Sequence, residues 1–161
     1  MSETQESICQ WAQDSFGTAK SLFRILTRAN EEMTELLVAI ELNPDKAPEE
    51  AADIAIILCR AAKRLDLEVR FGAGKGSIYF GLTPIRLAVL ANSALSDAIK
   101  SVVNDRPETA RVEIDVCVDW LIDLELHYGT TLQAEIDKKM AINRARTWDL
   151  DGSGHGYHCG A

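Results

Sequence analysis

Apolar residues recur at intervals of three and four along most of the chain, and short clusters of Asn, Asp, Pro and Gly interrupt them. This is the pattern of amphipathic helices joined by short connections. The clearest stripe, Leu22, Ile25, Leu26, Ala29, Met33, Leu36, Leu37 and Ile40, predicts a long helix over about residues 18–42, stopped by Asn43-Pro44-Asp45. A shorter helix, about 3–14, precedes it and ends before Phe16-Gly17. Pro48 suits the first turn of a third helix, about 49–65. Thr83-Pro84 reads as the cap and first residue of a fourth, reaching about 103, and Asp105-Arg106-Pro107 introduces a fifth, about 108–128. Gly129 ends that one, and a last helix covers about 132–147.

The stretch 66–82 breaks the rhythm with four glycines and a short apolar run, Ser77 to Phe80, consistent with a loop or a short hairpin. The expected architecture is a single all-α bundle over 1–150, with a four-helix core and a glycine-rich tail over 151–161. Displacing the chain by 62 residues brings Ala29-Asn30 onto Ala91-Asn92, Glu35 onto Asp97 and Asp53 onto Asp115. Each half then reads as helix, loop, helix, either a decayed duplication or the resemblance any two helical hairpins share. Glu32 falls on Ala94 and Glu50 on Val112 in this register, so only the first hairpin keeps acids there and one metal centre per chain is expected.

Composition narrows the function classes. A net charge of −8 gives no basic stripe for nucleic acid, so a phosphate-bearing small molecule would need cations to screen the pocket. The four cysteines are scattered, with no Cys-x-x-Cys pair for a zinc cluster, and Cys59 and Cys117 sit in apolar runs as core thiols. The polar opening does not read as a secretory leader, and no apolar run approaches the ~20 residues that span a bilayer. A cytoplasmic protein is expected.

The chemistry concentrates in acids. Glu32 and Glu35 are three residues apart on one predicted helix, and Glu50 and Asp53 repeat that spacing on the next. A short loop makes these helices antiparallel neighbours, so both pairs can face one space, where four carboxylates would repel unless cations bridged them. Glu-x-x-Glu on a solvated face is common, but Asp53 lies inside the apolar stretch Ala51 to Leu58 and needs a partner or a metal. Hard oxygen ligands suit Mg²⁺ or Mn²⁺, and the absence of histidine near the acids argues against di-iron chemistry. Glu31 and Glu49 are expected to face solvent or to support the ligands. Lys139, Asn143 and Arg146 fall at i, i+4 and i+7, a polar comb for phosphate oxygens or ordinary solvated charge. Trp11 is a candidate to stack on a base or a core plug. Gly72 to Ser77 lacks the spacing of a P-loop, though Lys75 sits where it can reach a phosphate.

Glu31-Glu32-Met33-Thr34-Glu35 followed by Glu49-Glu50-Ala51-Ala52-Asp53 resembles the Glu-Glu-x-x-Glu … Glu-x-x-Asp signature of the MazG-like all-α NTP pyrophosphohydrolases. Lys139-Met140 … Asn143 … Arg146 resembles that superfamily's Lys-Met-x-x-Asn-x-x-Arg/Lys segment. Trp11 … Phe16-Gly17 and the tail Asp151 to His158 resemble phage-type dATP/dGTP diphosphohydrolases, among them MazZ-like enzymes supplying dGMP for 2-aminoadenine DNA synthesis. Residues 66–123 depart from short members of the family, as an insertion or the decayed repeat.

The resemblance implies Mg²⁺-dependent hydrolysis of a (d)NTP, a purine dNTP such as dGTP or dATP, to (d)NMP and pyrophosphate. It implies two or three ions on Glu32, Glu35, Glu50 and Asp53, with Glu35 also positioning water. Lys139, Asn143, Arg146 and Trp11 would bind substrate in a homo-oligomer, a dimer or tetramer. The His155/Tyr157/His158 tail would order over nucleotide or at a subunit contact, or stay disordered. The alternatives are a non-catalytic helical interaction module and a metal-dependent phosphohydrolase releasing phosphate.

Overall fold

The computed structural model describes residues 2–72, 81–150, 154 and 156–158. Lys75 and the Ser77–Phe80 run fall outside these residues, as does His155.

Local sequence sets the helix ends. α1 (Gln5–Phe16) starts at Thr4, whose hydroxyl accepts from the Ser7 amide while Ser7 reaches back to the Thr4 amide. α2 (Leu22–Leu42) begins four residues later than the apolar stripe suggested, because the Ser21 side chain caps it by accepting from the Arg24 amide. A short 3₁₀ turn, Pro44–Lys46, leads into α3 (Ala47–Arg64). α4 (Pro84–Val103) and α5 (Pro107–His127) each open on proline, where a missing N–H costs nothing. α6 (Leu132–Ala145) is capped by the Thr131 hydroxyl.

The protein is an all-α helical bundle. α2 packs against both α3 and α4, α5 packs on α4, and α1 and α6 lie against α3. The core is aliphatic and rich in alanine, with Leu26, Met33, Leu36, Ile54, Leu58, Leu95, Leu121 and Leu124 fully buried. Cys59 and Cys117 are buried free thiols within it. Among the described residues no helix is long and apolar enough to cross a membrane.

The two hairpins, α2–α3 and α4–α5, bury matching positions. Ile25, Leu26, Ala29, Glu32, Met33, Leu36 and Ala39 are buried on α2, and a shift of 62 gives every buried residue of α4. On α5 the match to α3 needs a shift one residue larger, which carries Ala47 to Ala110, Ala51 to Ile114, Leu58 to Leu121 and Ala62 to Glu125. By this burial pattern the counterpart of Asp53 is Val116 rather than Asp115, and that of Glu50 is Glu113 rather than Val112. The connections differ in kind, a 3₁₀ turn in the first and a left-handed Asp105 (φ 53°) in the second, so each seats its second helix in its own register.

The tail adds a feature that helical periodicity does not carry. β1 (Trp148–Leu150) pairs antiparallel with β2 (Gly156–His158), Trp148 opposite His158, across the expected boundary at residue 150. Between the strands, Gly154 is buried at φ +86° against the backbone of Thr18 and Ala19.

Candidate metal centre and adjoining cleft

α2 and α3 pack antiparallel, so the faces bearing Glu32/Glu35 and Glu50/Asp53 turn toward each other. One carboxylate oxygen from each of Glu32, Glu35 and Glu50 lies within 4.8 Å of the other two. Glu32 is buried, Glu50 half-buried and Glu35 exposed at the mouth. All four expected acids line one cleft of about 210 Å³.

The environment makes these carboxylates costly as anions. Burial above all, with Asp53, Glu35 and Glu50 adding to it against the opposing pull of Arg28, raises the Glu32 pKa to about 7. Glu50 is raised by burial and by Asp53. Burial also raises Asp53, opposed by the Lys139 ammonium. Acids gathered at this cost need positive charge nearby.

Part of that charge comes from the chain. Arg28 pairs with Glu32 and, at 2.6 Å, with Glu31. From α6 the buried Lys139 Nζ donates to Glu49 Oε1 and to Asp53 Oδ2, both at 2.6 Å. Lys139 thus bears on the acids rather than on the open space, and Glu49, expected to face solvent or to support the ligands, is its second partner. Its pairing holds Glu49 below the ordinary carboxylate range. Asp53 stands beside the carboxylate triad with one oxygen already engaged.

No family model, characterised protein or solved structure compared with the chain matches it.

Aromatic residues close the far end of the cleft. Trp11 and Phe16 of α1 meet Trp148 of β1 edge to face, with centroids 5.1 Å apart for Trp11–Phe16 and Phe16–Trp148 and 5.9 Å for Trp11–Trp148. Trp148 Nε1 donates to the Asn143 carbonyl at 3.1 Å, which ties β1 to the end of α6. Asn143 is buried, and its Oδ1 accepts from Arg146 at 3.5 Å. Arg146 is exposed and lines the cleft.

The four expected acids, Lys139, Asn143, Arg146 and Trp11 therefore all reach one cleft. Sequence reasoning missed Arg28, Phe16, Trp148 and Arg60 as lining residues. The available signal was composition: aromatics are 6% of the chain, yet two of the three tryptophans stand near opposite ends of it.

Proposed function

We propose that the chain is a Mg²⁺-dependent nucleoside triphosphate pyrophosphohydrolase of the MazG-like kind, hydrolysing a (d)NTP to (d)NMP and pyrophosphate. One observation carries the reading: three carboxylates and a flanking aspartate converge at one end of a cleft whose other end is an aromatic box. The first suits a cation–phosphate group and the second a base.

The donor set fits a hard divalent cation. It is all carboxylate oxygen, no histidine or cysteine lines the cleft among the described residues, and the acids carry unfavourable charge. Glu32, Glu35 and Glu50 would hold Mg²⁺, with Mn²⁺ as a substitute, and Asp53 would join them. Bound there, such a cation supplies phosphate charge neutralisation and a more acidic water. Lys139 holds Asp53 in place through its second contact to Glu49. Glu35, at the exposed mouth, is placed to orient water and accept its proton. The water oxygen bonds to the α-phosphorus as the bond from that phosphorus to the bridging oxygen breaks, and pyrophosphate departs with the bridging oxygen. Arg146 lies at the cleft edge for phosphate oxygens, and Trp11, Phe16 and Trp148 offer ring surface to the base.

The test is a panel of NTPs and dNTPs with Mg²⁺ or Mn²⁺, with products resolved by chromatography. Pyrophosphate and a nucleoside monophosphate in equal amounts are expected. Inorganic phosphate as the primary product, or no turnover of any nucleotide, would overturn the assignment.

A further inference from the structure

The antiparallel hairpin α2–α3 gives the candidate site a direction. Ile57 of α3 lines the cleft toward its aromatic end, and Asp53 and Glu50 follow toward the start of that helix. On α2 the matching walk runs from Arg28 through Glu32 to Glu35. Beyond these acids a second hollow begins, of about 280 Å³, and Glu35 and Glu50 line both spaces. The hollow continues along α2 past Val38 to Leu42 and reaches Asn43 and Lys46 at the turn. Aromatic box, carboxylate triad and turn therefore lie in order along one hairpin.

Lys46 is the one cation lining this hollow among the described residues. It precedes Glu50 by four residues, about one helical turn or ~6 Å along the axis. Its side chain is exposed, and its ammonium has no hydrogen bond or ion pair among the described residues. Two cations nearer the acids are already engaged, Arg28 by Glu31 and Glu32 and Lys139 by Glu49 and Asp53. The Asn43 side chain adds an amide donor to the same hollow. A nucleoside triphosphate is itself a linear series of base, sugar and three phosphates. With the base in the aromatic box and the α-phosphorus at the triad, the β- and γ-phosphates extend toward the turn. The departing pyrophosphate gathers negative charge as the bond breaks, and an ammonium on that side offsets it. Resting on the nucleotide reading above, we infer that the hollow beyond the triad is the pyrophosphate subsite and that Lys46 binds the β- and γ-phosphates there.

A lysine that serves only as surface charge predicts no preference among phosphate-bearing ligands. Calorimetric titration with Mg²⁺ present can compare inorganic pyrophosphate with dGMP and dAMP, all products of the reaction rather than substrates. Lys46→Gln should weaken pyrophosphate binding about tenfold and leave both monophosphates within about twofold, and Lys46→Arg should restore most of the loss. In steady state, Lys46→Gln should lose about tenfold in kcat/KM for a dNTP. Because the Lys46 ammonium has no partner among the described residues, its replacement leaves the helices in place. Unchanged pyrophosphate affinity in Lys46→Gln, or an equal loss for the monophosphates, overturns the inference. So does a wild-type protein that binds no pyrophosphate. Lys46-dependent pyrophosphate binding in a protein that turns over no nucleotide would sink the proposed activity and keep the subsite. Turnover to pyrophosphate, with pyrophosphate binding indifferent to Lys46, would do the reverse.

Discussion

The two helical hairpins share a plan and differ in what they bury. On α2 the seven buried positions include Glu32, and on α4 the matching seven have Ala94 in its place. Glu35 corresponds to Asp97 and Glu50 to Glu113, yet no clustered carboxylate group forms there among the described residues. Ala94 and Val116 stand where the first hairpin has Glu32 and Asp53, and the half-buried Asp97 and Glu113 do not converge into a carboxylate cluster among the described residues. A second difference runs the other way. Where α3 buries Ala62, α5 buries Glu125 with both carboxylate oxygens lacking hydrogen-bond partners among the described residues. One hairpin holds acids against a cleft open to cations, and the other seals an acid inside the bundle. Location relative to that cleft, more than the number of acids, separates a candidate site from scaffold.

The sharpest break in this comparison is catalytic. Glu50→Gln and Asp53→Asn should each lower pyrophosphate release by about 10³-fold, while Asp97→Asn and Glu113→Gln stay within about twofold of wild type. Loss of activity from the second pair would mean that the hairpins share the chemistry.

Glu125 gives the next largest effect. Burial, reinforced by Glu135, raises its pKa to about 8, above its ordinary value of 4.5. A carboxyl whose pKa is raised by folding favours the folded state fully at pH below its unfolded value, and that advantage drains away as pH climbs from there through about 8. Wild type should therefore lose about 4 kcal/mol more between pH 5 and pH 9 than Glu125→Gln does, at ~1.4 kcal/mol for each pH step climbed below the folded-state value. Urea unfolding at the two pH values measures this. Parallel curves for the two proteins would mean that Glu125 finds a partner in solution.

The smallest effect concerns the cation itself. Saturating Mg²⁺ or Mn²⁺ should stabilise wild type by about 2 kcal/mol, a rise of several degrees in Tm. That rise should vanish in Glu32→Gln/Glu50→Gln and persist in Asp97→Asn/Glu113→Gln. A rise of equal size in all three would place the cation elsewhere.

Much of this was legible in the sequence because helices advertise themselves locally. Proline, asparagine and glycine mark the breaks, and the three-residue spacing of each acid pair fixes a shared face. The antiparallel packing of neighbours joined by a short turn then brings the faces together. What was hidden depends on contacts between distant segments. Lys139 looked like a phosphate ligand, since its spacing reports which face it occupies and says nothing of Glu49 and Asp53 waiting there. Arg60 sits at the end of a plain apolar stripe, and only the approach of Phe16, Trp148 and Gly154 gives it a setting. The one-residue change of register between α3 and α5 was invisible for a related reason, being set by how each connection turns.

The contact of Gly154 with Ala19 has a practical side. A Cβ built at position 154 would lie 2.5 Å from the Ala19 Cα, so backbone would have to yield to any larger residue. Since Arg60 grips the same glycine's carbonyl, position 154 is a steric dial for an engineer. A single added methyl there would set the tail back from the connection between α1 and α2 and loosen the box, with no cleft side chain substituted.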